Sequence, residues 1–174
     1  MKQKYLVYSI LVLLTSFSIT GCIGNNDDEY QKYLEEQAAH QQKVYQQFLT
    51  DSLLIVDYLE ANDSIAAFDS IYGIFYNILK PGSEAHPNLY SSITFQYKGT
   101  LLDGTVFDET ADSTTAQFML GNLISGWQVG IPKIGAGGKI ILYLPSVYGY
   151  GETVMDPIPA NSVLIFDIDL LSFY

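Results

Sequence analysis

Two hydrophobic periods divide the chain. Between residues 30 and 60 no Pro or Gly interrupts a stretch rich in Gln, Glu, Ala, Leu and Lys, residues that lose little side-chain freedom in a helix. Tyr30, Leu34, Ala38, Tyr45, Phe48 and Leu49 lie at helical spacings, so they share one face opposite a Gln- and Glu-rich one. Thr50-Asp51-Ser52 offers residues that cap helices, which predicts a break there and a second helix through Leu53, Leu54, Tyr58 and Leu59. The stripe has two readings. It forms a homodimer through residues 30–60, or it packs on, or spaces, the domain that follows.

After Asn62 the period shortens to two. Ile93, Phe95 and Tyr97 alternate with Thr94, Gln96 and Lys98, the pattern of an antiparallel strand with one buried face and one wet face. Asp103-Gly104 supplies the positive-φ dipeptide of a tight hairpin turn into Val106-Phe107. Further strands are expected over 71–79, 115–120, 139–144 and 163–171. In the last, Leu164, Phe166, Ile168 and Leu170 point one way, with Ile165, Asp167 and Asp169 opposite. Residues 124–131 leave room for one short helix, which Pro132 shortens by removing an N–H. The fold class is α+β: an antiparallel, strongly twisted sheet wrapped around one short helix, preceded by an N-terminal helical segment.

The first residues change the picture by setting a compartment. Met1 to Lys4 is a short basic segment, Tyr5 to Phe17 is mostly apolar, and small residues precede Cys22. The apolar run is short for a permanent span of about 30 Å of hydrocarbon. Ile19-Thr20-Gly21-Cys22 resembles the lipobox of bacterial lipoproteins, which implies cleavage before Cys22 and lipid on its thiol. Acyl chains at about 0.8 kcal/mol per buried methylene would hold such a chain on a bilayer. The expected organisation is a lipoprotein signal peptide over 1–21, an acidic tether over 22–29, a helical extension over 30–67 and a domain over 68–174. The expected location is the cell envelope of a Gram-negative-type bacterium, lipid-anchored to the outer membrane on its periplasmic or surface face. Gly24-Asn25-Asn26-Asp27-Asp28 reads by composition as a plain linker, and it also resembles the surface-export signal of Bacteroidetes lipoproteins.

Charge removes one class of partner. The net charge is −11, all eight basic residues are Lys, and there is no Arg. Such a surface repels phosphate backbones and lacks the guanidinium forks that read bases, so no nucleic-acid partner is expected. His40 and His86 lie far apart in unlike segments without a cysteine beside them, which gives no zinc spacing. Gly135-Ala136-Gly137-Gly138 precedes a strand rather than a helix, so it reads as a turn and not a phosphate loop.

Four blocks remain: TFQYKGTLLDGTVFDET, FMLGNLISGW, GGKIILYLPSVYGYG and PIPANSVLIFDIDLL. In this order and spacing they resemble the FKBP family of peptidyl-prolyl cis-trans isomerases over roughly the last hundred residues. The resemblance implies a five- or six-stranded sheet around the helix and a proline-binding pocket between them. It implies catalytic roles for Tyr97, Phe107, Asp108, Trp127, Tyr150 and Phe166, and substrate contacts for Phe118, Leu123, Ile124 and Ile158. Two positions depart from the family pattern. Ala116 stands where an aromatic is common, and Thr153-Val154-Met155 replaces a loop that commonly carries a histidine.

These residue types suit the chemistry. The amide rotation barrier of about 18–20 kcal/mol comes from resonance, and no bond has to break, so neither cofactor nor metal is needed. The site has to hold the twisted amide better than the planar one. A dry aromatic cleft disfavours the more charge-separated planar form, and the Tyr150 hydroxyl and Ile124 N–H are candidate donors to a carbonyl beside the proline. The expected partners are therefore proline-containing polypeptide segments. A second function class uses the same pocket to bind such segments without accelerating rotation. A third, a surface adhesin, rests only on the acidic tether and the abundant Tyr.

Overall fold

A computed structural model of the chain describes residues 27–111 and 113–174. The signal segment, Cys22 and most of the tether lie outside the described residues. The chain divides into two units, one ending at Ala38 and one running from Ala39 to Tyr174.

One continuous helix, α1 (Asp27–Ala61), replaces the expected helical pair. The break at Thr50-Asp51-Ser52 is absent because these side chains bond along or across the helix rather than capping a new one. Thr50 Oγ1 and Ser52 Oγ donate to the carbonyls of Gln46 and Phe48 at 3.0 and 2.7 Å. The helix stops where Asp63 takes a positive φ of 48°, with the Ser64 and Asp63 N–H groups returning to the carbonyls of Leu59 and Glu60. That is a Schellman closure with a non-glycine residue in the left-handed position. In the first unit, Tyr30, Leu34 and Ala38 are exposed. In the second, the buried helical face is Asp51, Ser52, Ile55 and Leu59, while Leu53 and Leu54 face outward.

The strands are β1 (Ala67–Phe68), β2 (Phe75–Lys80), β3 (Ser92–Thr100), β4 (Val106–Glu109), β5 (Ala116–Met119), β6 (Gly138–Leu144) and β7 (Leu164–Phe173). They form one antiparallel sheet in the order β1-β2-β6-β7-β3-β4, with β5 also on β3. Seven strands stand where five or six were expected. The addition comes from the two-residue β1 and from β3, whose first half pairs with β5 and second half with β4. The expected strand over 71–79 starts late, because Asp69 Oδ1 accepts from the Ile71 and Tyr72 N–H groups and makes a turn there.

The alternation in β7 is realised. Leu164, Phe166, Ile168 and Leu170 enter the main core with Ile140, Leu142 and Leu144 of β6. On the other face Lys139 pairs with Asp167 and Asp169, each at 2.9 Å. Further along that face Ile165, Val163, Tyr143 and Phe75 form a second core under Ile55 and Leu59 of α1. The sheet is therefore covered on both faces, by α1 on one and by α2 (Ser125–Gly130) on the other. Close seating of α2 depends on Gly130, where a Cβ would lie 2.5 Å from the Leu142 methyls. Among the described residues no helix is long and apolar enough to cross a membrane.

Candidate active site

The site lies on the concave face, where β3, β4 and β7 meet α2. Trp127 is one of the buried residues of α2, with 4% of its surface exposed. Three rings meet the indole edge-on: Phe95 at 4.9 Å, Tyr97 at 5.4 Å and Phe166 at 5.3 Å between centroids. Phe107 extends the wall by an edge contact to Phe166 at 5.4 Å. Edge-to-face packing suits the positive rims and negative faces of aromatic rings. The period-two alternation explains how separate strands reach one place: Phe95 and Tyr97 of β3 and Phe166 of β7 all lie on core-facing positions. Gly99 makes room for the wall, since a Cβ there would lie 2.5 Å from the Phe107 ring and 3.2 Å from that of Phe166.

The polar groups gather beside this cup. The Tyr97 hydroxyl donates to the Asp108 carboxylate in a short hydrogen bond. Burial first, and then that bond and the Asp108 charge, push the Tyr97 hydroxyl well above the usual tyrosine range, with Tyr150 adding to the effect. Burial and the same Asp108 charge raise Tyr150 as well. Both phenols therefore remain donors to higher pH than an ordinary tyrosine. Next to them Ile124 begins α2, its carbonyl accepting from the N–H groups of Trp127 and Gln128 at 3.0 and 3.2 Å. Its own N–H meets no acceptor among the described residues. Gln128 Nε2 holds the preceding loop by donating to the carbonyls of Leu123 at 2.7 Å and Gly121 at 3.1 Å.

Tyr97, Phe107, Asp108, Trp127, Tyr150 and Phe166 are thus brought into one neighbourhood, and Leu123, Ile124 and Ile158 pack against the same core. Ile158 is held by a tight turn in which Met155 and Ile158 exchange backbone hydrogen bonds around the cis Asp156-Pro157 peptide. Phe118 stands apart: it is 54% exposed, and its ring lies 6.3 Å from that of Phe95 between centroids. Ala116 is half-buried opposite Phe95 and leaves that wall low. Sequence reasoning placed Phe95 in the core without a part in the site. Its position two residues before Tyr97, on the same strand face, was the available signal.

The described residues thus place an indole at the base of an aromatic cup, on a sheet wrapped over a short helix. Residues 83–171 match the family described as FKBP-type peptidyl-prolyl cis-trans isomerase, and the chain belongs to that family. It is 38% identical over 120 residues to the FKBP-type peptidyl-prolyl cis-trans isomerase FkpA of Aeromonas hydrophila, an alignment covering 67% of this chain and 44% of the relative. It is 37% identical over 102 residues to the outer membrane protein MIP of Legionella longbeachae, covering 58% and 44%. The chain thus spans less than half the length of these curated relatives. The crystal structure of FkpA from Escherichia coli is similar to it with a TM-score of 0.64 and 27% identity, over 99% of this chain and 82% of that one.

Proposed function

We propose that this protein catalyses cis-trans isomerisation of X–Pro bonds in exported polypeptides. The observation that carries the proposal is the ring of Phe95, Tyr97 and Phe166 edges about Trp127, with the Ile124 N–H left without an acceptor beside it. A proline ring laid on the indole face would leave bulk water. Its planar imide, the more charge-separated form, would lose hydration there. The twisted form loses less, so the barrier falls. The Ile124 N–H and the Tyr150 hydroxyl would then hold a carbonyl beside the turning bond, and Asp108 would fix the Tyr97 hydroxyl away from it. Lowering the barrier by about 5–7 kcal/mol corresponds to roughly 10⁴–10⁵ in rate.

The test is a protease-coupled isomerisation assay on the purified protein with Trp127→Ala and Tyr150→Phe beside it. The wild type should accelerate the reaction, and each variant should lower kcat/KM about tenfold or more while circular dichroism stays unchanged. Peptide binding without acceleration by the wild type would instead favour a proline-segment-binding chaperone, a reading that draws on the low wall at Ala116.

The setting is proposed with it. Lipid on Cys22 would tether the domain to the outer membrane, a reading supported by the lipobox-like residues and by the name of the Legionella relative. Palmitate labelling should mark the wild type and not Cys22→Ser. Homodimerisation through residues 30–60 would use the exposed Tyr30, Tyr33, Leu34 and Tyr45, because the buried face of the helix after residue 50 is already spent on the sheet. A monomeric mass for the wild type in ultracentrifugation, the same as that of a variant with these four residues changed to Glu, would end the dimer.

A further inference from the structure

The long helix does more than cover the sheet. Asp51, in its middle, is fully buried, and a buried carboxylate is rare unless its hydrogen bonds are satisfied. Here they are met by the loop that carries Tyr150. Asp51 Oδ2 accepts from the Ser146 backbone N–H at 2.8 Å and from Ser146 Oγ at 2.6 Å. Its other oxygen, Oδ1, accepts from Gln47 Nε2 at 2.7 Å, one helical turn earlier.

Ser146 passes this anchorage on. Its carbonyl accepts from the N–H groups of Gly149 and Gly151, both at 2.9 Å, the residues on either side of Tyr150. The far end of the loop is held as well, since Lys43 pairs with Glu152 at 2.7 Å. Lys43, Gln47 and Asp51 are spaced i, i+4 and i+8, so they form one ridge on the helix. That ridge grips residues 146–152 at both ends.

We infer that Asp51 is a positioning residue for the site: through Ser146 it fixes the loop that aims the Tyr150 hydroxyl, and so couples the N-terminal helix to the pocket. The inference rests on the isomerase reading and adds to it a residue with no contact to substrate. It predicts that the pocket works at full rate only with the helix seated.

The experiment is a double-mutant cycle on the full protein, using kcat/KM for a succinylated Ala-Leu-Pro-Phe anilide, with thermal melts run in parallel. Asp51→Ala should lower kcat/KM about tenfold. In a Tyr150→Phe background, where the hydroxyl to be aimed is gone, the same change should cost about twofold or less, because coupled residues are not additive. Asp51→Asn, which keeps an oxygen facing Ser146, should restore activity to within about twofold of wild type. General loosening of the fold would instead give the same factor in both backgrounds, and that result would overturn the inference. If Asp51→Ala does not fold, Ser146→Ala removes only the hydroxyl contact. It should lose about threefold, again only while Tyr150 is present, and no loss at all would overturn the inference. A wild type that accelerates nothing would sink the isomerase reading alone. The cycle is then read on the affinity for the same peptide followed by Trp127 fluorescence, with the same pattern expected and the same equal-factor result decisive against it.

Discussion

Tyr150 and Tyr97 owe their altered acidity to burial and to the Asp108 charge, and the sign of that shift is open to experiment. An ordinary tyrosine ionises near pH 10. A phenol raised above that value remains a donor through it, so kcat/KM measured by an uncoupled magnetisation-exchange assay should stay level as pH climbs from 7 to 10. In Asp108→Asn one cause of the shift is gone, and a decline should begin at lower pH. A wild-type rate that falls with an apparent pKa below 10 would mean that burial and the Asp108 charge do not raise the phenol on which turnover depends. Gly99 supplies a second prediction. The methyl of Gly99→Ala would force the Phe107 ring to move, at a cost of about 1–3 kcal/mol in urea unfolding and with a fall in kcat/KM. The rings of the site could be read from the chain, because alternation on a strand places them and the four blocks name them. Asp51 could not. A lone acid among cap-forming residues predicts a helix end, and only the tertiary partner Ser146, 95 residues away, reveals it as a buried acceptor.

At the scale of elements the same misreading split α1 in two. Local preference favoured a break at Thr50-Asp51-Ser52, and packing overrode it by burying Ile55 and Leu59 on the sheet. Ile165 was the overlooked clue. An isoleucine on the otherwise acidic face of β7 makes sense once a helix covers that end of the strand. Ile55→Ala should therefore cost about 2–5 kcal/mol in denaturant unfolding, as for a fully buried aliphatic side chain. A second junction ties the turn after β1 to the segment after α2. Lys133 bonds Asp69 and also lies 4.6 Å over the Tyr76 ring. Lys133 beside Asp69 holds that carboxyl below the usual aspartate range. A depressed carboxyl contributes stability above its unfolded pKa of about 3.9, and the contribution disappears as pH falls through the folded value. Urea unfolding should show Asp69→Asn less stable than wild type at pH 6, with the gap closing toward pH 3. A gap that stays constant with pH would mean that the pair contributes nothing beyond its neutral contacts.

For the molecule as a whole, these contacts lie within one compact unit. The compact unit begins at Ala39, and the second core joins Ile55 and Leu59 to Phe75, Tyr143, Val163 and Ile165. Two truncations separate the roles of the helix. A chain starting at residue 39 keeps the second core and the Asp51 clamp, so calorimetry should place its Tm within a few degrees of the full chain. A chain starting at residue 68 bares Phe75, Tyr143, Val163 and Ile165. Each large side chain uncovered forfeits about 1.5–3 kcal/mol, and each kcal/mol moves the Tm of a domain of this size by roughly 4–8 °C, so a drop of at least about 10 °C is expected. The shorter chain should also be the slower catalyst at temperatures where both are folded, because Ser146 has lost its acceptor. Equal melting points for the two truncations would mean that the second core contributes nothing, and the helix would then add nothing to the stability of the sheet it covers.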